Sequence, residues 1–335
     1  MTAPVRLPAG RPAPAGSVVS GPRVVSQPPA ATGPVFLAGA DRSGIGLLGE
    51  VLEHHPAFAI TRRTDWWSRV DGRYGDLSVP DHLEALLDDL AHDRRLRLLT
   101  PDRERLRASF HNGSADYLRL FALLQEQRAE RLGRPRWGDK SLGSERYADR
   151  VLTAFPDARM VHVLRDPRDR YASQRDHRGL GRGGLGAAAA VWRDSARRAV
   201  RNLRRHPGRY LVVHYERLAR DPVVVLAEVV AFLAEPAATV ASTLAAAATG
   251  GPGALQARSV GRFRRDLDAG EVAFLEVATR PWADRLGYPA TGVAPTGTAA
   301  AAFALRDLPV EAAHAAAWAM RGTGRRPPHR PVQGR

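Results

Sequence analysis

Apolar residues occur along this chain in short continuous runs and in longer helical patterns. Three runs of consecutive apolar residues predict buried strands at residues 34–39, 160–164 and 210–214. Longer segments predict helices at about residues 45–54, 80–93, 115–132, 144–155, 187–205 and 222–233. Strands that alternate with helices predict an α/β fold, in which a single-domain parallel sheet is flanked by helices.

Cationic and aromatic residues stand where the predicted strands end. Arg42, Arg165 and Tyr215 follow the three apolar runs, and Lys140 lies in a short extended piece at residues 135–141. Parallel sheets bind ligands beyond the carboxyl ends of their strands. The pattern therefore predicts a cationic site along one edge of the sheet.

Composition changes towards both ends of the chain. Residues 1–33 are rich in Pro, Gly and Ala without periodicity, and we predict that they are disordered. Residues 289–335 are rich in Ala, Pro, Gly and Arg, and we predict a largely disordered tail with one helix at about 309–321. The predicted domain is residues 34–288.

Charge and cysteine content exclude several classes of function. The chain has 335 residues, a net charge of +15 and no cysteine, which excludes thiol nucleophiles, disulfides and cysteine-based metal sites. The positive excess is diffuse, so we expect no specific nucleic-acid partner. There is no membrane-spanning apolar run and no signal-peptide pattern, so we expect a cytoplasmic protein without membrane contact.

Lys140 is the only lysine among the 50 basic residues, which suggests a site that needs a compact ammonium.

Residues 39–44, Gly-Ala-Asp-Arg-Ser-Gly, connect the first predicted strand to the first predicted helix. Backbone amides and the helix dipole at such a helix start attract phosphate or sulfate. The nucleoside triphosphatase pattern G-x-x-x-x-G-K-[ST] fits at Gly39 and Gly44. Ile45 and Gly46, however, occupy the positions of its lysine and of its Mg²⁺-binding hydroxyl. The loop therefore predicts an anion site and argues against ATP with Mg²⁺.

Five motifs occur in an order that resembles the sulfotransferases that use 3′-phosphoadenosine 5′-phosphosulfate (PAPS). They are residues 39–44, 137–140 (Trp-Gly-Asp-Lys), 155–169 (ending in Arg-Asp-Pro-Arg-Asp), 215–218 (Tyr-Glu-Arg-Leu) and 259–263 (Ser-Val-Gly-Arg-Phe). The likeness covers about residues 34–288. It implies a P-loop-like nucleotide-binding architecture, PAPS as the sulfuryl donor and no metal.

The resemblance also assigns residues to the two ends of the nucleotide. Arg42, Ser43 and Gly44, with the amides of Ile45 and Gly46, match the loop that holds the 5′-phosphosulfate. Ile45 and Gly46 replace two hydroxyl residues that are common in the family, so this loop has fewer side-chain donors than its relatives.

The remaining nucleotide contacts implied by the resemblance come from later motifs. Arg165 and Ser173 match an arginine and a serine that hold the 3′-phosphate, and Tyr215 matches a tyrosine near the adenine. Ser259 and Gly261, with Arg258 or Arg262, match a segment that closes over the 3′-phosphate. The resemblance does not decide between Arg258 and Arg262 as the arginine of this segment.

Two cations and one carboxylate are the implied catalytic groups. Lys140 matches a lysine beside the bridging oxygen of the leaving group, and with Arg42 it would stabilise charge on the leaving phosphate. Cytosolic relatives carry a histidine two residues later, where this chain has Leu142. Tyrosylprotein relatives carry a glutamate in the region that matches 62–63, and Asp65 lies close by.

We predict Asp65 as the base that accepts the proton of the acceptor, with Asp139 and Glu145 as alternatives. Asp65 could instead cap a short helix at Trp66.

The sequence thus predicts an enzyme that transfers a sulfuryl group from PAPS to a hydroxyl or amine of a small-molecule or glycan acceptor. Two alternatives stay open. One is a P-loop kinase or triphosphatase, and the other is a nucleotide- or nucleic-acid-binding module that has lost catalysis. The sequence contains no pattern that identifies the acceptor or the oligomeric state.

Overall fold

The computed structural model describes residues 33–175, 184–249, 259–294 and 297–321. Residues 1–32 and 322–335 lie outside this part of the chain, and so does most of the predicted disorder. Arg258, one of the two arginines proposed for the closing segment, also lies outside it.

Five parallel strands form one sheet in the described part of the chain. The strands are β1 (Val35–Ala38), β2 (Phe58–Arg62), β3 (Arg136–Lys140), β4 (Arg159–Leu164) and β5 (Tyr210–His214). Their order is β2-β3-β1-β4-β5. The predicted α/β class with a parallel sheet is confirmed.

β1 lies at the centre of the sheet, between β3 and β4. Leu37 pairs with Lys140 on one side and with Val161 on the other. The chain crosses over β1 when it passes from β3 to β4. Ligands of open parallel sheets bind at such a reversal of strand order. We therefore expect the site at the carboxyl ends of β1, β3 and β4.

β2 was not predicted from the sequence. Its five residues carry only two large apolar side chains, Phe58 and Ile60, and it ends in Thr61 and Arg62, so the sequence shows no apolar run there. Its register with β3 is fixed by burial, because Ile60 pairs with Gly138 and both faces of the sheet are covered.

Helices cover both faces of the sheet. Those in the described residues are α1 (Ile45–Glu53), α2 (Trp66–Arg69), α3 (Pro80–His92), α4 (Arg103–His111), α5 (Tyr117–Arg131), α6 (Ala148–Ala154), α7 (Pro167–Arg175), α8 (Gly184–Arg205), α9 (Tyr215–Arg220), α10 (Pro222–Phe232), α11 (Thr239–Thr249), α12 (Phe263–Asp266), α13 (Ala269–Ala283) and α14 (Gly297–Arg321). All six helices predicted from periodicity are present, with the helix predicted at 144–155 beginning as a 3-10 turn before α6.

Two large hydrophobic clusters lie on the two faces of the sheet, and two smaller ones lie between α8 and α13. Alternate residues of β1 belong to different clusters: Phe36 packs with residues of α3, α5 and α6, whereas Leu37 packs with residues of α1 and α10. β1, β4 and β5 are the apolar runs that the sequence predicted for strands buried on both faces, whereas β2 and β3 include polar and charged residues.

The described part of the tail contains a longer helix than the sequence predicted. α14 begins at Gly297 and continues through Pro309, whereas the sequence predicted a helix only at 309–321. Asp307 is 2% exposed and accepts a hydrogen bond from the amide of Gly186 at 3.1 Å, which satisfies a donor at the start of α8. This polar contact had no local sequence signature, because its partners are 121 residues apart.

In the described residues, no helix combines the length and apolarity needed to cross a bilayer.

Candidate functional site

The loop between β1 and α1 leaves backbone donors open. The hydroxyl and the amide of Ser43 both donate to the carbonyl of Ala40, at 2.6 and 3.2 Å. The amides of Gly44, Ile45 and Gly46 donate to no acceptor among the described residues. These three amides stand at the positive end of the α1 dipole, so the loop can hold an anion. Ser43 shapes the loop in this structure and directs neither donor outward.

Gly44 is required by the shape of this loop. Its φ is +99°, which disfavours any side chain, and a Cβ there would lie 2.4 Å from Cδ2 of Tyr215. Tyr215, the first residue of α9, therefore packs directly against the loop. It is 7% exposed. Its predicted contact with adenine stays a prediction.

Arg42, Ser173 and Arg165 form one connected group beside the loop. Nε of Arg42 donates to Oγ of Ser173 at 3.0 Å, and Nη1 of Arg165 donates to the carbonyl of Arg42 at 3.2 Å. Arg42 has a φ of 66°, a left-handed conformation that is uncommon for a residue with a side chain. The structure thus brings together the cations that the sequence assigned to the 5′ and 3′ ends of the nucleotide.

Arg165 is buried and only partly satisfied. Its guanidinium lies over the ring of Tyr215, 4.4 Å from the centroid, and its Nη2 donates to the carbonyl of Ser259 at 2.7 Å. Nε is buried and donates to no described residue. Burial lowers the pKa of Arg165 from its usual value, and the neighbouring phenol of Tyr215 opposes this shift. An unsatisfied buried donor next to open amides fits an anionic ligand.

The segment at 259–263 is tied to the same group through Asp169. The amides of Gly261 and Phe263 donate to the carboxylate of Asp169 at 2.6 and 2.9 Å. Burial raises the pKa of Asp169, and these two amides oppose the rise. Arg262 directs its guanidinium to Asp266, with both contacts at 2.7 Å. The segment is therefore in place, although its arginine is engaged elsewhere.

Lys140 ends β3 with its ammonium unpaired. Its side chain packs against α1 at Gly49, where an added Cβ would lie 2.8 Å from Cδ of the lysine. Lys140 is 8% exposed and makes no hydrogen bond or ion pair with any residue in the described ranges. Burial lowers its pKa, as does the positive charge of Arg62, whereas Glu53 raises it. A largely buried ammonium without a partner among the described residues is suited to meet a developing negative charge.

Asp65 lies in a turn between β2 and α2, close to the end of β3. Its carboxylate accepts from Nη1 of Arg95 at 2.6 Å and makes no capping bond to α2, so the helix-capping interpretation is wrong. Burial raises the pKa of Asp65, and the charges of Arg95 and Arg63 oppose the rise. The amide of Asp65 donates to Oγ of Ser141, one residue beyond Lys140, at 2.9 Å.

Both alternative bases, Asp139 and Glu145, are buried. Asp139 is 0% exposed, and its Oδ1 accepts from Thr64 at 2.7 Å, so its carboxylate lies beneath the surface that an acceptor could reach. Glu145 is 2% exposed, and its two oxygens accept from the amide of Gly39 at 3.1 Å and from Ser195 at 2.8 Å. Glu145 therefore supports the start of the loop and is not available as a base.

Sequence reasoning missed several groups that hold the site. Trp192 donates its indole N–H to the carbonyl of Arg165 at 2.7 Å, and Arg170 donates to the carbonyl of Asp41 at 2.8 Å. Asp169 belongs to a recognised motif, yet its bonds to residues 92 and 94 positions later carry no local signature. Thr64 carries no local sequence signature, because its partners Asp139 and Ser141 lie at the end of β3, far along the chain.

One family of known proteins matches this chain. The model of the sulfotransferase family designated Sulfotransfer_3 matches residues 34–239. None of the curated proteins is significantly similar in sequence to the chain.

Several solved structures are similar to this chain. A sulfotransferase domain from the Synechococcus PCC 7002 olefin synthase shares 20% identity, covers 80% of this chain and 99% of its own, and has a TM-score of 0.51. Sulfotransferase STF9 from Mycobacterium avium shares 17% identity over 75% of this chain and 76% of its own, with a TM-score of 0.43. The likeness to the Synechococcus domain shows a shared fold.

Proposed function

The chain belongs to the sulfotransferase family, and from this premise we propose that it transfers a sulfuryl group from PAPS to a hydroxyl or amine acceptor. The chain is a sulfotransferase by family, so the proposal concerns the donor, the acceptor and the residues that act. PAPS would supply the sulfuryl group: its S–O bond to the phosphate breaks, a bond from sulfur to the acceptor oxygen or nitrogen forms, and 3′-phosphoadenosine 5′-phosphate (PAP) leaves.

Binding of the nucleotide would use the donor side of the site, which we define as residues 39–46, Arg165, Ser173 and residues 259–263. The open amides of Gly44, Ile45 and Gly46 would receive the 5′-phosphate end. Arg165, with its unsatisfied Nε, and Ser173 would receive the 3′-phosphate. Gly261 and Arg262 would contribute after local rearrangement, since both are engaged with carboxylates.

Transfer would use the acceptor side of the site, which we define as residues 62–65 and 139–142. Lys140 would place its ammonium on the bridging oxygen as negative charge develops there, and Arg42 would add a second cation. Asp65 would accept the proton that the acceptor loses, because its raised pKa makes it a better base than an ordinary aspartate. By analogy with phosphoryl transfer, positioning and charge stabilisation would supply most of the catalysis.

One observation carries this proposal. At the ends of the neighbouring strands β1 and β3, two groups of donors lack acceptors among the described residues: the amides at the start of α1 and the ammonium of Lys140. A strand pairing of Leu37 with Lys140 places both at one end of the sheet. Such donors fit a ligand with negative charge on a transferable group.

Isothermal titration calorimetry with PAP tests the proposal. We expect saturable binding in the micromolar range that does not require Mg²⁺. A matched titration with ATP and Mg²⁺ tests the kinase or triphosphatase alternative, for which Ile45 and Gly46 lack the required side chains. Absence of binding at millimolar PAP would contradict the proposed donor.

A transfer assay separates the enzyme from a binding module that has lost catalysis. Labelled [³⁵S]PAPS is offered with phenols, alcohols, amines and small glycans, and the labelled product is separated from the donor. Label in any acceptor supports the enzyme. PAP binding without transfer to any acceptor, together with salt-dependent binding of duplex DNA, would favour the binding module.

A further inference from the structure

A strained turn carries the proposed base. Arg63 and Asp65 have φ values of 55° and 49°, both in the left-handed region that residues with side chains rarely adopt. Thr64 lies between them. Such conformations persist only where the surrounding structure fixes them, and they concentrate at functional sites.

Three successive residues of this turn are bonded to the end of β3. The amide of Arg63 donates to the carbonyl of Lys140 at 2.6 Å. The hydroxyl of Thr64 lies 2.7 Å from Oδ1 of Asp139, to which it donates, and 3.2 Å from Oγ of Ser141. The turn and the strand end are thus joined at every step from residue 63 to residue 65, since Asp65 is bonded to Ser141.

The central bond of this set is completely buried. Thr64 is 1% exposed and Asp139 is 0% exposed. Oδ2 of Asp139 is buried and has no hydrogen-bond partner among the described residues. Burial raises the pKa of Asp139 to about 6, against the hydrogen bonds from Thr64, Ser141 and Thr61. A carboxylate that is kept inside the protein at this cost is a candidate for a role in the site.

We propose that Thr64 and Asp139 are positioning residues, whose buried hydroxyl–carboxylate bond fixes Asp65 relative to Lys140. The inference rests on the proposed function, in which Asp65 accepts a proton and Lys140 stabilises the leaving group. Neither Thr64 nor Asp139 contacts substrate. They act through the turn, because a shift of the backbone at residue 64 also moves residue 65, whose amide is bonded to Ser141 beside Lys140.

Thr61 provides a matched comparison. Its hydroxyl also reaches Oδ1 of Asp139, at 3.1 Å, and it is buried to the same degree as Thr64. Thr61, however, lies within β2 and is paired with Asp139 in the sheet, so its backbone is held without the hydroxyl. Loss of the Thr61 hydroxyl should cost stability and leave the turn in place.

The test compares Thr64→Val, Thr64→Ser and Thr61→Val in the full chain. Hydrogen exchange is followed in the peptide that contains residues 63–65, PAP affinity by calorimetry, and transfer from [³⁵S]PAPS to 4-nitrophenol by kinetics. Thr64→Ala is a second variant that lacks the hydroxyl without placing a methyl group against Asp139. It keeps the test open if the valine variant fails to fold.

We expect Thr64→Val to speed exchange in the turn and to lower kcat about 10²-fold, as for a misplaced catalytic group, with PAP affinity unchanged. Thr64→Ser should restore both readouts, and Thr61→Val should alter neither. Normal exchange and normal kcat in Thr64→Val and Thr64→Ala would overturn the positioning role. If the wild type transfers to neither 4-nitrophenol nor any other acceptor offered above, the proposed function is contradicted, and the exchange data still decide whether the bond holds the turn.

Discussion

The donor side and the acceptor side of this site are held together in different ways. On the donor side, Arg165 and Arg42 are bonded to backbone carbonyls and to a serine hydroxyl, while several amides at the start of α1 remain open. On the acceptor side, the ammonium of Lys140 ends a strand, and the carboxylate of Asp65, bonded to Arg95, lies in a strained turn. On the donor side, several hydrogen-bond donors would share the contacts to the nucleotide. On the acceptor side, each catalytic role would depend on one group.

This difference leads to a general expectation for substitutions. Removal of one of several donors should weaken nucleotide binding moderately, because the remaining amides still contact the anion. Removal of a single catalytic group should reduce the rate strongly and leave binding intact. The predictions below test whether the two sides can be separated in this way, from the largest expected effect to the smallest.

Lys140→Ala should lower kcat by about 10²–10³-fold, since it removes the charge that would stabilise the leaving group. PAP affinity should stay close to that of the wild type, because the loop amides and Arg165 are untouched. Transfer kinetics and calorimetry on the same preparation check both parts. An equal loss of affinity and rate would mean that Lys140 is part of the donor side. Gly49→Ala, which pushes on the lysine without removing it, should give a smaller loss of the same kind.

Asp65→Asn should lower kcat about 10²-fold and remove the acid limb of the pH–rate profile. The limb arises because Asp65 must be deprotonated, and its raised pKa places the limb above the ordinary aspartate value of 3.8. Arg95 lowers this pKa, so Arg95→Ala should move the limb to higher pH. The alkaline limb should lie below 10.5, because the pKa of Lys140 is lowered. A limb that stays unchanged in Asp65→Asn would exclude Asp65 as the base.

Asp139 should make stability depend on pH. Its pKa is about 6 in the folded protein and about 3.8 when unfolded, so the protonated form is favoured by folding. The contribution is present below pH 3.8 and is lost as the pH rises to about 6. The melting temperature of the wild type should therefore fall by several degrees relative to Asp139→Asn across this window and stay level above it. A constant difference between the two proteins would show that Asp139 has an ordinary pKa.

Gly46→Ser should strengthen PAP binding about five-fold, the usual effect of one added hydrogen bond. A Cβ at Gly46 would meet no atom within 4 Å, so the side chain has room at the start of α1. Gly46→Ala is the matched control and should leave the affinity unchanged. A similar gain in both variants would trace the effect to backbone rigidity and not to the hydroxyl.

The sequence was a better guide to the donor side than to the acceptor side. Periodicity and the loop after β1 suffice to predict the parallel sheet, the open amides of the loop and the cations at the strand ends, because those features are local in the chain. β2 and the turn at 63–65 were missed, since five residues with two large apolar side chains carry little periodicity. The burial of Asp139 and Glu145 depends on contacts from distant segments, so the sequence left both open as bases.

The length of the C-terminal helix was underestimated for a related reason. Ala-rich residues around 297–308 have no strong amphipathic pattern, and the helix is held by its contact with α8 through Asp307. Tertiary contacts with α8, and not the local sequence pattern, therefore determine the length of this helix.

A crystal structure with PAP tests the central claim most directly. We predict the 5′-phosphate on the amides of Gly44 to Gly46, the 3′-phosphate on Arg165, and the ammonium of Lys140 within hydrogen-bond distance of the 5′-phosphate. The carboxylate of Asp65 should face the same point from the other side. A nucleotide bound away from the loop, or a 5′-phosphate that leaves Lys140 unpaired, would contradict the division into a donor side and an acceptor side.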